Sequence, residues 1–200
     1  MEPKGLIFDI QSFSVHDGPG CRTKLLTPGP LTTTETVKRE MMTDHCTWDD
    51  DYKQITQKIR RNLLKLAHVT EDEYTAVLMQ GSGSFGVESV LTSVIGEDEK
   101  LLIVANGAYG ERMKDIADHA KMQYSVYSVP YDQIPSAEEV EKILKNDPAI
   151  THVAMVHSET TSGILNDIES VSKVVKAAGK TMIVDAMSSF GGVDIPVGEW

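Results

Sequence analysis

Between an apolar stretch at residues 76–79 and a helix-forming stretch at 87–95 stands Gln80-Gly81-Ser82-Gly83-Ser84. Glycines let a backbone approach a ligand closely, and serine hydroxyls add donors. A helix that follows turns its free N–H groups and positive dipole end back on the turn. These residue types in this order make a cradle for a phosphate or a carboxylate. The segment lacks the lysine of a P-loop and is not GxGxxG, so the nucleotide motifs do not fit. A plain tight turn uses the same residues, and the motif alone does not choose between the two.

Three further features fall where strands are predicted to end. Asp185 closes the apolar run Thr181-Met182-Ile183-Val184. Ligands of parallel sheets bind outside the carboxyl ends of strands. An acid there can keep a ring nitrogen protonated, as pyridoxal 5'-phosphate requires of its protein. A cap for the turn at Ser188-Ser189 is the alternative. The stretch His157-Ser158-Glu159-Thr160-Thr161-Ser162-Gly163 offers hydroxyls on the same rim, or is an ordinary polar loop. Tyr109, in Asn106-Gly107-Ala108-Tyr109-Gly110, could stack on an aromatic ligand or be a half-buried tyrosine with no such role. Each signal is weak alone. Together they put an anion cradle, an aromatic face, hydroxyls and an acid at one end of one sheet.

Other constellations fare worse. His45, Cys46 and the acids Asp49, Asp50 and Asp51 match no common metal spacing. The acids are better explained by the helix they precede, whose N-terminus favours negative charge. His157, Ser158 and Asp185 do not make a hydrolase triad, because adjacent side chains diverge and no GxSxG elbow is present.

The elements that must position these residues alternate. Strands are predicted at 76–79, 101–105, 124–129, 152–157 and 181–185, with a further short one at 5–10. Helices are predicted at 52–66, 87–95, 110–120, 136–144 and 168–178. The first carries Ile55, Ile59, Leu63 and Leu66 at helical spacing, and Ser136 with Glu139 forms a capping box. Such alternation predicts an α/β fold, a mostly parallel sheet with helices on both faces.

Composition agrees with a single soluble body. The chain has 200 residues, 40% hydrophobic and 24% charged, with a formal net charge of −11. That acidity argues against nucleic acid as a partner. The two cysteines, Cys21 and Cys46, form no disulfide framework or CxxC pair, no secretory signal precedes the first element, and no apolar run approaches a membrane span. The expected location is the cytoplasm, away from membranes.

Several stretches resemble one family. LLTPGPLTTT (25–34), CTWDDDY (46–52), QGSGSFGVESVL (80–91), NGAYGER (106–112), HVAMVHSETTSG (152–163) and IVDAMSSFGG (183–192) are similar to 2-aminoethylphosphonate–pyruvate transaminases. These are class V, fold-type I enzymes that use pyridoxal phosphate. The resemblance covers the chain from Leu25 onward, and it implies the large cofactor domain of that fold. It also implies roles. Ser82, Gly83 and Ser84 would bind the cofactor phosphate, Tyr109 would lie against the pyridine ring, Thr160 would bond the phenolic oxygen, and Asp185 would pair with the ring nitrogen. Pro28, Gly29 and Pro30 would help line the substrate pocket. The implied protein is a homodimer acting on 2-aminoethylphosphonate and pyruvate, with phosphonoacetaldehyde and alanine as products.

The family's Schiff-base lysine follows the segment matched by residues 183–192 and is expected beyond Trp200, because the last lysine here is Lys180. No catalytic residue is therefore predicted within the chain. Residues 4–23 depart from the family and resemble the N-terminus of glycyl-radical enzyme activases, without the three-cysteine iron–sulfur motif those enzymes carry next. Residues 1–24 are read as a separate, fused segment. A truncated, non-catalytic form that binds a phosphate compound or pairs with a full-length subunit is the alternative function.

Overall fold

The computed structural model describes residues 24–26, 29 and 31–200. The expected strand at 5–10, Cys21, nearly all of the 1–24 segment, Pro28 and Pro30 lie outside them. The chain divides into two compact units, Met1–Asp44 and His45–Trp200. In the first, Leu25 and Thr32 are tied across the Pro-Gly-Pro segment, with the Leu25 N–H donating to Thr32 Oγ1 at 2.7 Å and the Thr32 N–H to the Leu25 carbonyl at 3.1 Å. Gly29 is exposed. A helix not read from the sequence, α1 (Glu35–Glu40), starts at Thr34, whose hydroxyl accepts from the Val37 N–H.

The second unit opens with α2 (Asp50–Leu66), which carries Asp50 and Asp51 in its first turn as its dipole favours. Its apolar stripe remains largely in the open: Ile55, Ile59 and Leu66 are exposed, and Leu64 is the buried residue. Residues 76–79 correct the sequence reading. They form no strand, and Val77, Leu78 and Met79 are exposed. An apolar run becomes a strand only when a neighbour offers a ladder, and none of the described residues pairs there.

Then follow α3 (Gly83–Val94), β1 (Lys100–Ala105), α4 (Ala108–His119), β2 (Gln123–Ser128), α5 (Ala137–Asn146) and β3 (Ile150–Val156). A two-stranded antiparallel hairpin, β4 (Ser158–Glu159) with β5 (Ile164–Leu165), occupies what the sequence presents as a polar loop. Helix α6 (Ile168–Ala177) and β6 (Thr181–Asp185) complete the order. The main sheet runs β2-β1-β3-β6, and every pair is parallel.

Side chains alternate across this sheet, and both faces are apolar because both are covered. Leu102, Val104, Val153 and Met155 pack with Val140 and Leu144 of α5 and with Ile168, Val171 and Val175 of α6. Leu101, Ile103, Ala105, Ala154 and Val156 pack with Leu91 of α3 and with Met113 and Ala117 of α4. The chain runs outward from β1 to β2 through α4, then returns through α5 to place β3 on the other side of β1. The strand order therefore reverses between β1 and β3, and in open α/β sheets the ligand crevice lies at the carboxyl ends of such a pair.

Ser136 caps α5, its hydroxyl accepting from the Glu139 N–H at 3.4 Å. The reciprocal half of the expected capping box is replaced, since Glu139 pairs with Lys142 and the Ser136 hydroxyl donates to Glu138. Ser136→Ala is expected to cost about 1 kcal/mol, read as a thermal midpoint lower by roughly 2–4 °C. No helix among the described residues is long and apolar enough to cross a membrane.

Candidate functional site

Helix α3 begins four residues earlier than the sequence suggests, because Ser82 acts as its N-cap and accepts the Phe85 N–H at 3.2 Å. Gly83 and Ser84 therefore belong to the first turn, where backbone N–H groups have no partner within the helix. A Cβ at position 83 would stand 2.9 Å from both Cγ and Cε of Met187, so that side chain would have to shift. The cradle is thus packed against the residue two places after Asp185.

Helix α4 starts beside it. The turn into α4 is held by Asn106 and Asn166, both buried, which exchange amide hydrogen bonds of 2.8 and 3.0 Å. Asn106 also donates to the Gln133 carbonyl and Asn166 to that of Val156, so the clasp fixes the ends of β1 and β3 together. Gly107, the N-cap, has no side chain to offer α4. Glu159 supplies the missing acceptor from across the crevice. Its carboxylate, fully buried, takes the Tyr109 N–H at 3.2 Å and the Thr161 hydroxyl at 2.6 Å. A negative group at a helix N-terminus is stabilised by the dipole. Arg112, one turn along α4, donates to Ser84 Oγ at 2.6 Å, and its guanidinium sits 5.6 Å from the centre of the Tyr109 ring. That distance is within cation–π range.

Asp185 ends β6, where its carbonyl accepts the His157 N–H at 2.9 Å. Its carboxylate accepts one backbone N–H, that of Met187, at 3.0 Å. Burial pushes the Asp185 carboxyl above its ordinary value; the Met187 N–H opposes this, and the charge of Glu159 adds to it. A cation at the free side of this carboxylate would therefore be welcome.

His157 is buried, its Nδ1 lies 3.0 Å from Ser189 Oγ, and its ring meets Trp200 edge to face at 5.7 Å. Burial pulls its pKa below the ordinary histidine value. The unfolded chain then binds the proton more readily, so the stability His157 contributes is complete above the unfolded value, about 6.5, and is lost as pH falls from there through the folded value. Melting midpoints are expected to fall between pH 7.5 and 5.5, and less so in His157→Gln; an equal fall in both proteins removes His157 from the explanation.

The structure thus links Ser82, Gly83, Ser84, Tyr109 and Asp185 on one rim through Met187, Arg112 and Glu159. Thr160 is exposed on the turn between β4 and β5, next to Glu159. Gly29 belongs to the other unit, with Pro28 and Pro30 outside the described residues. Sequence reasoning assigned no role to Arg112 or Glu159. The one available signal was Arg112 three residues after Tyr109 on a helix, a spacing that brings side chains together.

The family model for aminotransferase class V matches residues 35–200. The chain belongs to the class V aminotransferase family. Among curated members, the 2-aminoethylphosphonate–pyruvate transaminase of Lysinibacillus sphaericus is 63% identical over 176 residues, which is 88% of this chain and 48% of that protein. Its counterpart in Klebsiella pneumoniae is 56% identical over 174 residues, 86% of this chain and 47% of that one. The class V aminotransferase chain described here therefore spans about half the length of the curated relatives it matches.

Solved structures agree on the fold. The pyridoxamine–pyruvate aminotransferase of Mesorhizobium loti superposes with a TM-score of 0.80 at 28% identity, covering 91% of this chain and 46% of that one. The alanine–glyoxylate aminotransferase of Nostoc sp. gives 0.81 at 25% identity, covering 97% and 51%. The α/β architecture is shared with these aminotransferases.

Proposed function

We propose that the protein serves pyridoxal-phosphate-dependent transamination of 2-aminoethylphosphonate with pyruvate, giving phosphonoacetaldehyde and alanine. The observation that carries this is the joining of the α3 cradle, Tyr109 and Asp185 on one rim, at the carboxyl edge of a parallel sheet. The names of the relatives support the choice of substrates.

The residues fit the cofactor. The first turn of α3 offers N–H groups and the hydroxyls of Ser82 and Ser84 to a phosphate ester. Tyr109 is 40% exposed, which leaves its ring accessible for stacking. Thr160 stands at the rim to bond the phenolic oxygen. The half-buried carboxylate of Asp185 has one N–H donor and its proton affinity raised by burial, and it pairs well with a protonated ring nitrogen. When bound, pyridoxal phosphate supplies the electron sink that lets an amino group change carbon skeletons. Asp185 keeps the ring nitrogen charged, Tyr109 fixes the ring plane, and the cradle anchors its far end.

Pro28, Gly29 and Pro30 are proposed to line the substrate pocket, and residues 1–24 to form a segment separate from the aminotransferase domain. The relatives are about twice as long as this chain, and no described residue is proposed as the Schiff-base lysine. A cytoplasmic homodimer is the assembly proposed.

The test uses the purified protein. Retention of pyridoxal phosphate, seen in its absorbance, with alanine formed from the two substrates, supports the full reading. Retention without alanine favours a non-catalytic form. No retention overturns the assignment.

A further inference from the structure

We propose that Arg112 is a positioning residue for the phosphate ester of the cofactor: it sets the Ser84 hydroxyl as a donor. This rests on the cofactor reading above and goes beyond it. A serine hydroxyl can face an anion with its proton or with a lone pair, and the second arrangement repels. Arg112 donates to Ser84 Oγ at 2.6 Å. A guanidinium has no acceptor, so the bond runs in one direction only. The hydroxyl proton is left to point elsewhere, and the bond it makes next is strengthened because the oxygen is already polarised. Ser84 lies in the first turn of α3, whose open N–H groups face the same ligand.

Two observations show that Arg112 is held for this task. Its guanidinium lies over the Tyr109 ring at 5.6 Å, which limits its swing. In a chain with 30 acidic residues, no carboxylate among the described residues forms an ion pair with it, while Lys114 two places on pairs with Glu111. The arginine is spent on a neutral hydroxyl.

The experiment titrates the purified protein and its Arg112→Gln, Ser84→Ala and double variants with pyridoxal phosphate and with pyridoxal, which has the ring and no phosphate. Each single change is expected to weaken pyridoxal phosphate binding about ten-fold or more, the loss of one hydrogen bond to a charged group. The double variant should be no weaker than the worse single, because Arg112 acts through Ser84. Pyridoxal affinity and the ligand-free melting midpoint of Arg112→Gln should stay near wild type. Unchanged pyridoxal phosphate affinity in Arg112→Gln overturns the proposal. So do additive losses in the double variant, an equal loss for pyridoxal, or a lowered ligand-free midpoint. Failure of the wild type to bind pyridoxal phosphate overturns the cofactor reading, and this inference falls with it.

Discussion

Asp185→Asn is expected to lower transamination turnover by a factor on the order of 10² to 10³ while leaving the ligand-free protein more stable. The first half follows from the proposed pairing of Asp185 with the cofactor's ring nitrogen. Removing one partner of such a pair costs about 3–5 kcal/mol, and each 1.36 kcal/mol is ten-fold in rate. Asparagine keeps the shape and can still accept the Met187 N–H that Asp185 accepts at 3.0 Å. It cannot hold a ring proton by charge.

The second half follows from the direction of the Asp185 shift. Its folded pKa is raised, chiefly by burial, with the charge of Glu159 adding to it. As pH rises, the unfolded chain ionises this group first. The stability it contributes therefore declines from the unfolded pKa upward through the folded one. Above the folded pKa an ionised, poorly solvated Asp185 is a cost that asparagine does not carry. Melting curves with and without pyridoxal phosphate, beside steady-state rates, check both halves. Wild-type turnover in the variant ends the proposed role for Asp185; a lower ligand-free midpoint ends the account of its burial.

Gly107→Ala is expected to be strongly destabilising. A Cβ at 107 would meet Cγ and Cδ of Glu159 at 2.2 Å. The glutamate is fully buried and cannot simply turn aside, because its oxygens hold the Tyr109 N–H and the Thr161 hydroxyl. Overpacking alone costs about 1–3 kcal/mol, and a displaced buried carboxylate adds to that. A total near 3 kcal/mol corresponds to a midpoint lower by roughly 6–12 °C. Pairing the change with Glu159→Ala opens the space again, so the double variant should lose less than the sum of the singles. Strictly additive losses would show that the two positions do not collide.

Strand β6 is found at Thr181–Asp185, the bounds its apolar run suggests, and β1, β2 and β3 differ by one or two residues. Runs buried on both faces have sharp chemical edges. Residues 76–79 carry the same signature and are no strand, because pairing depends on a neighbour that local sequence does not name. The start of α3 was hidden because Gly81 and Gly83 read as a turn, while the N-cap role of Ser82 depends on backbone geometry. In the site, residues that end strands or open helices were legible, Asp185 and Ser82 to Ser84 among them. Arg112 and Glu159 were not. Ser84 lies 28 positions from Arg112 and Tyr109 50 from Glu159, and only the folded chain brings each of these pairs together.

The two halves of the site are fastened differently. Asp185 ends a strand hydrogen-bonded to β3 along its length. The cradle follows residues 76–79, which join no sheet among the described residues, and it meets the end of β6 through a side chain, Met187 under Gly83. Backbone amides at 77–84 should therefore exchange with deuterium well before those of β3 and β6 in the ligand-free protein. A phosphate ester would slow that exchange on arrival, and part of its binding energy would go into quieting the cradle. Affinity at this rim is then set as much by how still residues 77–84 already are as by the hydrogen bonds they make.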